Sequence, residues 1–307
     1  MKFTRFLAVL LAATFALCVF TACGEAKKEY SMPVKVTRKN ANGEVEWTNT
    51  ISYDKDAMTI LEIGDSITEK VVLQRTEEKK VLQIYYDGVL FYNAEIQLDS
   101  QGRPSKGTGK MQKTKVGPHG IAGVLTGDDN INYEGEYEYR YNEDGSRTYL
   151  STEYSSTWSG TGRQETKYDA NGNPTEWWCY AGEELSYYVL YEYNAEGKLT
   201  KKTLHNPDGN VSSTDQYEYD GNGNLTKETF YSEENQVGSF STYEYDANGN
   251  LTKYTYYYEG SVEYTYEFEY DNVKLTEAQH DDFLGYFPDN LSGPTRKIVY
   301  HLDEYTR

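Results

Sequence analysis

The sequence predicts an all-β chain of tandem β-hairpin repeats that form a long, curled antiparallel sheet or open β-solenoid. Three observations predict it. The block Tyr217-Glu-Tyr-Asp-Gly-Asn-Gly-Asn-Leu-Thr-Lys227 recurs as Tyr243-Glu-Tyr-Asp-Ala-Asn-Gly-Asn-Leu-Thr-Lys253 and, slightly altered, as Tyr191-Glu-Tyr-Asn-Ala-Glu-Gly-Lys-Leu-Thr-Lys201. The turn glycines Gly145, Gly172, Gly197, Gly223 and Gly249 stand 27, 25, 26 and 26 residues apart. Between the turns, apolar and polar residues alternate with period two, the signature of a half-buried strand.

The N-terminus comes first in chain order, because a targeting segment is set aside before fold reasoning. Lys2 and Arg5 precede an uncharged apolar run from Phe6 to Phe20, too short for a membrane span. Phe20-Thr21-Ala22-Cys23-Gly24 follows it and resembles the lipobox of bacterial lipoproteins, with Phe20 where Leu is usual. The resemblance implies a signal peptide over residues 1–22 and a diacylated Cys23. An ordinary cleaved signal peptide ending near Ala22 is the alternative. Two or more acyl chains anchor a protein stably, whereas one does not. Residues 23–33 then read as the lipidated cysteine and a solvated tether.

Charge and cysteine content exclude several classes. Cleavage before Cys23 removes Lys2 and Arg5 from the 30 basic residues and nothing from the 49 acidic ones, leaving a net charge of −21. Such a surface repels nucleic-acid phosphates, so DNA- or RNA-binding is excluded. With Cys23 lipidated, Cys179 is the remaining cysteine, so neither an internal disulfide nor a zinc site built on a cysteine pair is expected. No cofactor or metal site is read.

Residues 34–136 read as degenerate hairpins, with Asn40-Ala-Asn-Gly43 and Asp99-Ser-Gln-Gly102 as eroded turns. Residues 137–276 carry the clear repeats. Asn-Gly between β-prone runs is a strong hairpin signal, since both residues tolerate positive φ. On the incoming strand the pattern is clean: Tyr264, Tyr266, Phe268 and Tyr270 share one parity, Glu263, Thr265, Glu267 and Glu269 the other. The outgoing strand is not, because Leu225, Lys227, Thr229 and Tyr231 share one parity and would send a lysine inward after a leucine. Either a bulge shifts the register there or both faces are partly wet. Six repeats of two strands exceed the size at which open sheets stay flat, hence the expected curl. Residues 277–307 lose the period and read as a loop or short helix with a closing strand, a cap for the last open edge.

The Tyr-Asp, Asn-Gly-Asn and Leu-Thr elements together resemble the YD-repeat, or RHS-repeat, family of bacterial exported proteins. The resemblance is strong over residues 137–276. It implies a repeat architecture more than a function, since the family runs from toxin-encapsulating shells to short surface lipoproteins. At this length the chain is too short to close a cage and carries no distinct toxin domain after the repeats, so toxin delivery is not expected.

Three motifs invite chemistry. Gly64-Asp65-Ser66-Ile67-Thr68 resembles the nucleophile block of GDSL-type esterases, which would make Ser66 the nucleophile. That reaction needs a base and an orienting carboxylate, usually as Asp-x-x-His. None of His119, His205, His280 and His301 has Asp three residues before it, and a strand–turn–strand reading is preferred. Asp246-Ala-Asn-Gly-Asn250 superficially resembles an EF-hand start, but its glycine is misplaced and Tyr257 stands where the bidentate Glu belongs. Trp158, Trp177 and Trp178 are the candidate ligand-contact aromatics, able to stack on sugar rings, against the plainer reading that they fill the core.

The sequence therefore predicts no catalytic residues. It points to an extracytoplasmic, lipid-anchored bacterial protein at the cell surface or facing the periplasm. Its role would be a binding or structural module for a cell-surface glycan or a protein partner.

Overall fold

A hairpin needs a turn that satisfies its own backbone, and here an acidic or amide side chain does so. The computed structural model describes residues 27–54, 57–63, 68–111, 133–155 and 160–284. In the turn 246–250 the Asp246 N–H donates to the Asn250 carbonyl (2.9 Å) and the Gly249 N–H to the Asp246 carbonyl (3.1 Å). The Asp246 carboxylate accepts from the Asn248 and Asn250 N–H groups, both at 2.9 Å. Gly249 alone takes the left-handed conformation, at φ 82°. The turn therefore spans five residues, and the Asn-Gly pair does not form the two-residue turn that its sequence suggests. The side-chain cap makes the longer loop self-sufficient.

Eighteen strands follow from such turns among the described residues. The N-terminal seven are β1 (Lys28–Asn40), β2 (Val45–Tyr53), β3 (Ala57–Ile63), β4 (Thr68–Arg75), β5 (Lys79–Tyr86), β6 (Val89–Leu98) and β7 (Pro104–Met111). The middle of the chain forms β8 (Tyr133–Tyr141), β9 (Arg147–Ser155), β10 (Gly160–Tyr168), β11 (Pro174–Ala181) and β12 (Glu184–Tyr193). Then come β13 (Leu199–His205), β14 (Val211–Tyr219), β15 (Leu225–Ser232), β16 (Val237–Tyr245), β17 (Leu251–Tyr258) and β18 (Ser261–Leu275). One helix, α1 (Glu277–Leu284), ends the described chain.

The sheet is closed, which corrects the expected open solenoid or curled sheet. Consecutive strands pair antiparallel all the way round, and β1 pairs with β18 in register from Lys28↔Leu275 to Asn40↔Tyr264. An up-and-down chain can close this way only with an even number of strands, since its first and last strands must run antiparallel. Closure removes both free edges. Of the stretch read as a C-terminal cap, residues 285–307 lie outside the described residues, and α1 packs against one end of the barrel. There Phe283 is fully buried, its ring 6.0 Å from that of Tyr53, and Tyr30 stacks on His280 at 3.9 Å. The stretch read as tether enters the barrel too: β1 starts at Lys28 and Met32 is fully buried. The N-terminal third belongs to the same sheet as the clear repeats.

Register explains the puzzle of the outgoing strand: it holds a bulge. Glu218 pairs with Lys227 and Tyr219 with Leu225, leaving Thr226 without a register partner. Its hydroxyl donates to the Glu218 carbonyl at 3.1 Å. Thr200 and Thr252 do the same to Glu192 and Glu244. The bulge sends the leucine inward and the lysine outward. Leu199, Leu225 and Leu251 are accordingly buried, beside Tyr191, Tyr217 and Tyr243.

The interior is packed. Aliphatic side chains of β1 to β5, such as Val36, Ile51, Ile60 and Ile84, join the tyrosines of β12 to β18 in one core cluster. Barrels of this strand number commonly enclose an aqueous channel. Here Tyr266, Met58 and Val189, all but fully buried, fill the space at the core cluster instead. Elsewhere the wall is brought close by glycine. A Cβ at Gly107 would lie 2.5 Å from the Glu95 carbonyl oxygen, so that strand pair admits no side chain there.

Inward leucine and outward lysine make opposite predictions. Leu225→Ala is expected to cost about 2–5 kcal/mol in urea unfolding, the range for a buried leucine. Lys227→Ala is expected to cost no more than about 1 kcal/mol. Equal losses would place the bulge elsewhere.

Candidate functional site

The repeat builds two functional surfaces, a rim and an outer wall. Among the described residues, the turns led by Asp99, Asp169, Asp220 and Asp246 lie at one rim, the one bearing α1, because they join even-numbered strands to the odd-numbered strands that follow. At this rim the second tyrosine of each Tyr-x-Tyr unit reaches across to the strand before it. Tyr219 donates to the Leu199 carbonyl at 2.8 Å, Tyr245 to that of Leu225 at 2.9 Å and Tyr193 to that of Pro174 at 2.7 Å. Tyr53 and Tyr141 make the equivalent bonds to Pro33 and Pro104. Burial, joined by neighbouring phenols or carboxylates, pushes the Tyr53 and Tyr193 hydroxyls well above the ordinary phenol range, which keeps them protonated donors.

The rim carboxylates are used by their own turns. Hydrogen bonds from the Asn224 backbone and side chain hold the Asp220 carboxyl below its usual range; the Asn250 side chain and backbone do so for Asp246, and the Arg103 backbone and side chain for Asp99. Among the described residues no three His, Cys, Asp or Glu side chains are grouped to hold a metal ion.

The outer wall is charged. Glu192–Lys201 (3.0 Å), Glu218–Lys227 (3.6 Å) and Glu244–Lys253 (3.0 Å) repeat one cross-strand pair, and Lys35–Glu269 and Lys39–Glu267 (both 2.6 Å) continue it over the closing seam. Two aromatic stacks interrupt it. Trp178, Tyr188 and His205 are register partners on β11, β12 and β13, with centroids 4.6 and 4.7 Å apart and planes within 14° and 3°. Those distances match the spacing of neighbouring strands. Phe240 and Tyr257 form the second stack, at 4.4 Å.

The candidate aromatics are thus divided between the two faces of the wall. Trp178 is on the outer face, its Nε1 donating to Glu176 at 2.9 Å and the Lys167 amino group 6.0 Å from its ring. Trp177 points inward, packs against the core and meets the Tyr187 ring edge-on at 5.5 Å. Trp158, Cys23 and Ser66 lie outside the described residues. Cys179 is a free, partly buried thiol on the inward parity, opposite Gln164 and Tyr187. The Tyr188–His205 stack was missed in the sequence, because the two residues become neighbours only through strand pairing.

A closed up-and-down barrel, packed within, charged without and assembled from Tyr-Asp hairpins, is the class that fold and site define. Residues 193–230 match the RHS Repeat family, so an RHS-type repeat is present. No curated protein matches the chain. Among solved structures, a porin-like protein from Bacteroides vulgatus ATCC 8482 is similar at 12% identity and a TM-score of 0.33, over 78% of this chain and 98% of that one.

The rim carboxylates give a pH prediction. A depressed folded pKa contributes stability that is present above the unfolded value, about 3.9 for Asp, and is lost as pH falls through the folded one. Asn194 accepts the same two backbone N–H groups without titrating, from Glu196 at 3.0 Å and Lys198 at 2.9 Å. The Asp99→Asn/Asp220→Asn/Asp246→Asn variant is therefore expected to fold. Its urea midpoint should fall less than that of the wild type between neutral pH and about pH 3. An equal fall would mean that these turns play no part in acid unfolding.

Proposed function

We propose that this protein is a non-enzymatic module that works in water outside a bacterial cytoplasmic membrane. It is held there by lipid on Cys23 and offers its outer wall to a cell-surface glycan or a protein partner. The observation that carries the reading is the direction of the wall. A barrel that crosses a membrane turns an apolar band outward and a polar lining inward. This wall carries Lys–Glu pairs outward where such a band would be apolar, and its apolar core cluster faces inward, beside a Lys202–Asp215 ion pair. The RHS-type repeat supports the same reading, since its resemblance is to exported proteins.

Cys23 lies five residues before Lys28, where β1 begins at the rim bearing α1. A lipid there would hold that rim towards the membrane and turn the opposite rim outward. On the wall, Trp178 is the described candidate tryptophan that faces outward. Its stack with Tyr188 covers one ring face, which leaves the indole edge and the side towards Lys167 for contact. Trp and Tyr anchors of this kind dominate binding energy at protein interfaces.

Two experiments test the proposal. In detergent phase separation of cells expressing the full chain, the protein is expected in the detergent phase, and Cys23→Ser in the aqueous phase. A Cys23→Ser protein still in detergent would overturn the lipid anchor. In a screen of cell-wall polymers, glycans and surface proteins, saturable binding is expected to fall at least tenfold in Trp178→Ala, a loss of about 1.4 kcal/mol. Trp177→Phe should leave it unchanged. No binding to any of them would leave a structural spacer as the better account.

A further inference from the structure

Asn49 is a buried side chain with both of its polar atoms, the amide nitrogen and the carbonyl oxygen, lacking a hydrogen-bond partner among the described residues. It sits on β2 facing inward, 1% exposed. Two residues along the same face, the Trp47 indole N–H is also buried and without a partner among the described residues. A carboxamide without partners is costly to bury, and a leucine of similar size would fill the position without that cost. Two such groups on one face mark a place that something else completes.

The surroundings define what that is. Asn49 lies directly opposite Val36 on the closing strand β1 and opposite Glu62 on β3, and Trp47 lies opposite Arg38 on β1. Arg38 is ion-paired, its Nε 3.3 Å from the Glu46 carboxylate and its guanidinium 4.4 Å from the centroid of the Tyr264 ring, but that Nε too is buried without a hydrogen bond among the described residues. The Trp47 ring is packed against Tyr266 at 5.5 Å. A small group that both accepts and donates hydrogen bonds would complete Asn49 and Trp47. It must accept from the Trp47 Nε1 and the Asn49 Nδ2 and donate to the Asn49 Oδ1. Val36, Ile51 and Tyr266, all nearly or fully buried, share this inward face.

We propose that the barrel holds internal water here, shared by Asn49 and Trp47, as a fixed part of the structure. Buried water typically makes about three hydrogen bonds to polar groups that have no other partner, which is the set these two residues supply.

A high-resolution crystal structure of the intact chain is the first test. Water density within hydrogen-bond distance of both the Asn49 amide and the Trp47 Nε1 is the expected result. A dry site, or an Asn49 amide bonded to a protein group, overturns the proposal. Urea unfolding of Asn49→Leu, Trp47→Phe and the double variant is the second. A shared water predicts a lower midpoint in each single variant and a double loss smaller than the two losses added. A raised midpoint in Asn49→Leu, or strictly additive losses, overturns it. Should Asn49→Leu fail to fold, the crystallographic result and Trp47→Phe decide, the latter being expected to lower the midpoint.

Discussion

The pairing of β1 with β18 is the constraint on which the rest of the structure depends. It joins residues more than 220 positions apart, such as Lys35 with Glu269 and Lys39 with Glu267. Holding the two ends together gives up chain entropy, but that cost grows only slowly with loop length. Once the seam forms, every strand has two neighbours, and the sheet acquires a true inside. An open sheet of the same hairpins would leave two strand edges unpaired and its tyrosine face half wet. Closure is what lets Val36 of β1, Val189 of β12 and Tyr266 of β18 be buried together from three different parts of the chain.

Inside and outside are then kept in step by a small backbone irregularity repeated from hairpin to hairpin. A strict period of two would send Leu225 and Lys227 to the same side. The bulge at Thr226, sealed by its hydroxyl on the Glu218 carbonyl, changes the parity between them. Each part of the eleven-residue block thereby has one physical role. The first tyrosine fills the core and the glutamate pairs outward. The second tyrosine bonds the strand before it, the aspartate organises the turn, and the leucine returns to the core. The threonine holds the bulge and the lysine answers the glutamate. The outward ion pairs contribute little stability singly, at most about 1 kcal/mol each. Their larger effect is to keep the wall wet and soluble, which suits a surface that meets its partners in water.

That wall carries its aromatic content in cross-strand stacks. Trp178, Tyr188 and His205 lie far apart in sequence and side by side in the sheet, because strand pairing sets their rings at strand spacing. A stack of this kind is rigid and covers its own ring faces. It presents edges and one charged flank, a different surface from a row of flat, separate platforms.

By itself the sequence determined the all-β class, the hairpins of 137–276 and the turn positions. It also determined the alternation of tyrosine and glutamate and the acidic balance of the surface. These are legible because each depends on residues within one hairpin: a turn residue, a period of two, a carboxylate two and four residues from the N–H groups it caps. Only the tertiary structure decided that the sheet closes and that β1 begins within the presumed tether. It also decided that the degenerate N-terminal third joins the same barrel, and that the adjacent Trp177 and Trp178 part to opposite faces. Closure depends on the summed twist and coil of every strand pair, which no short window of sequence contains. Which of two neighbouring tryptophans faces inward depends on which face of the sheet becomes the inside, and that is fixed only when β18 meets β1.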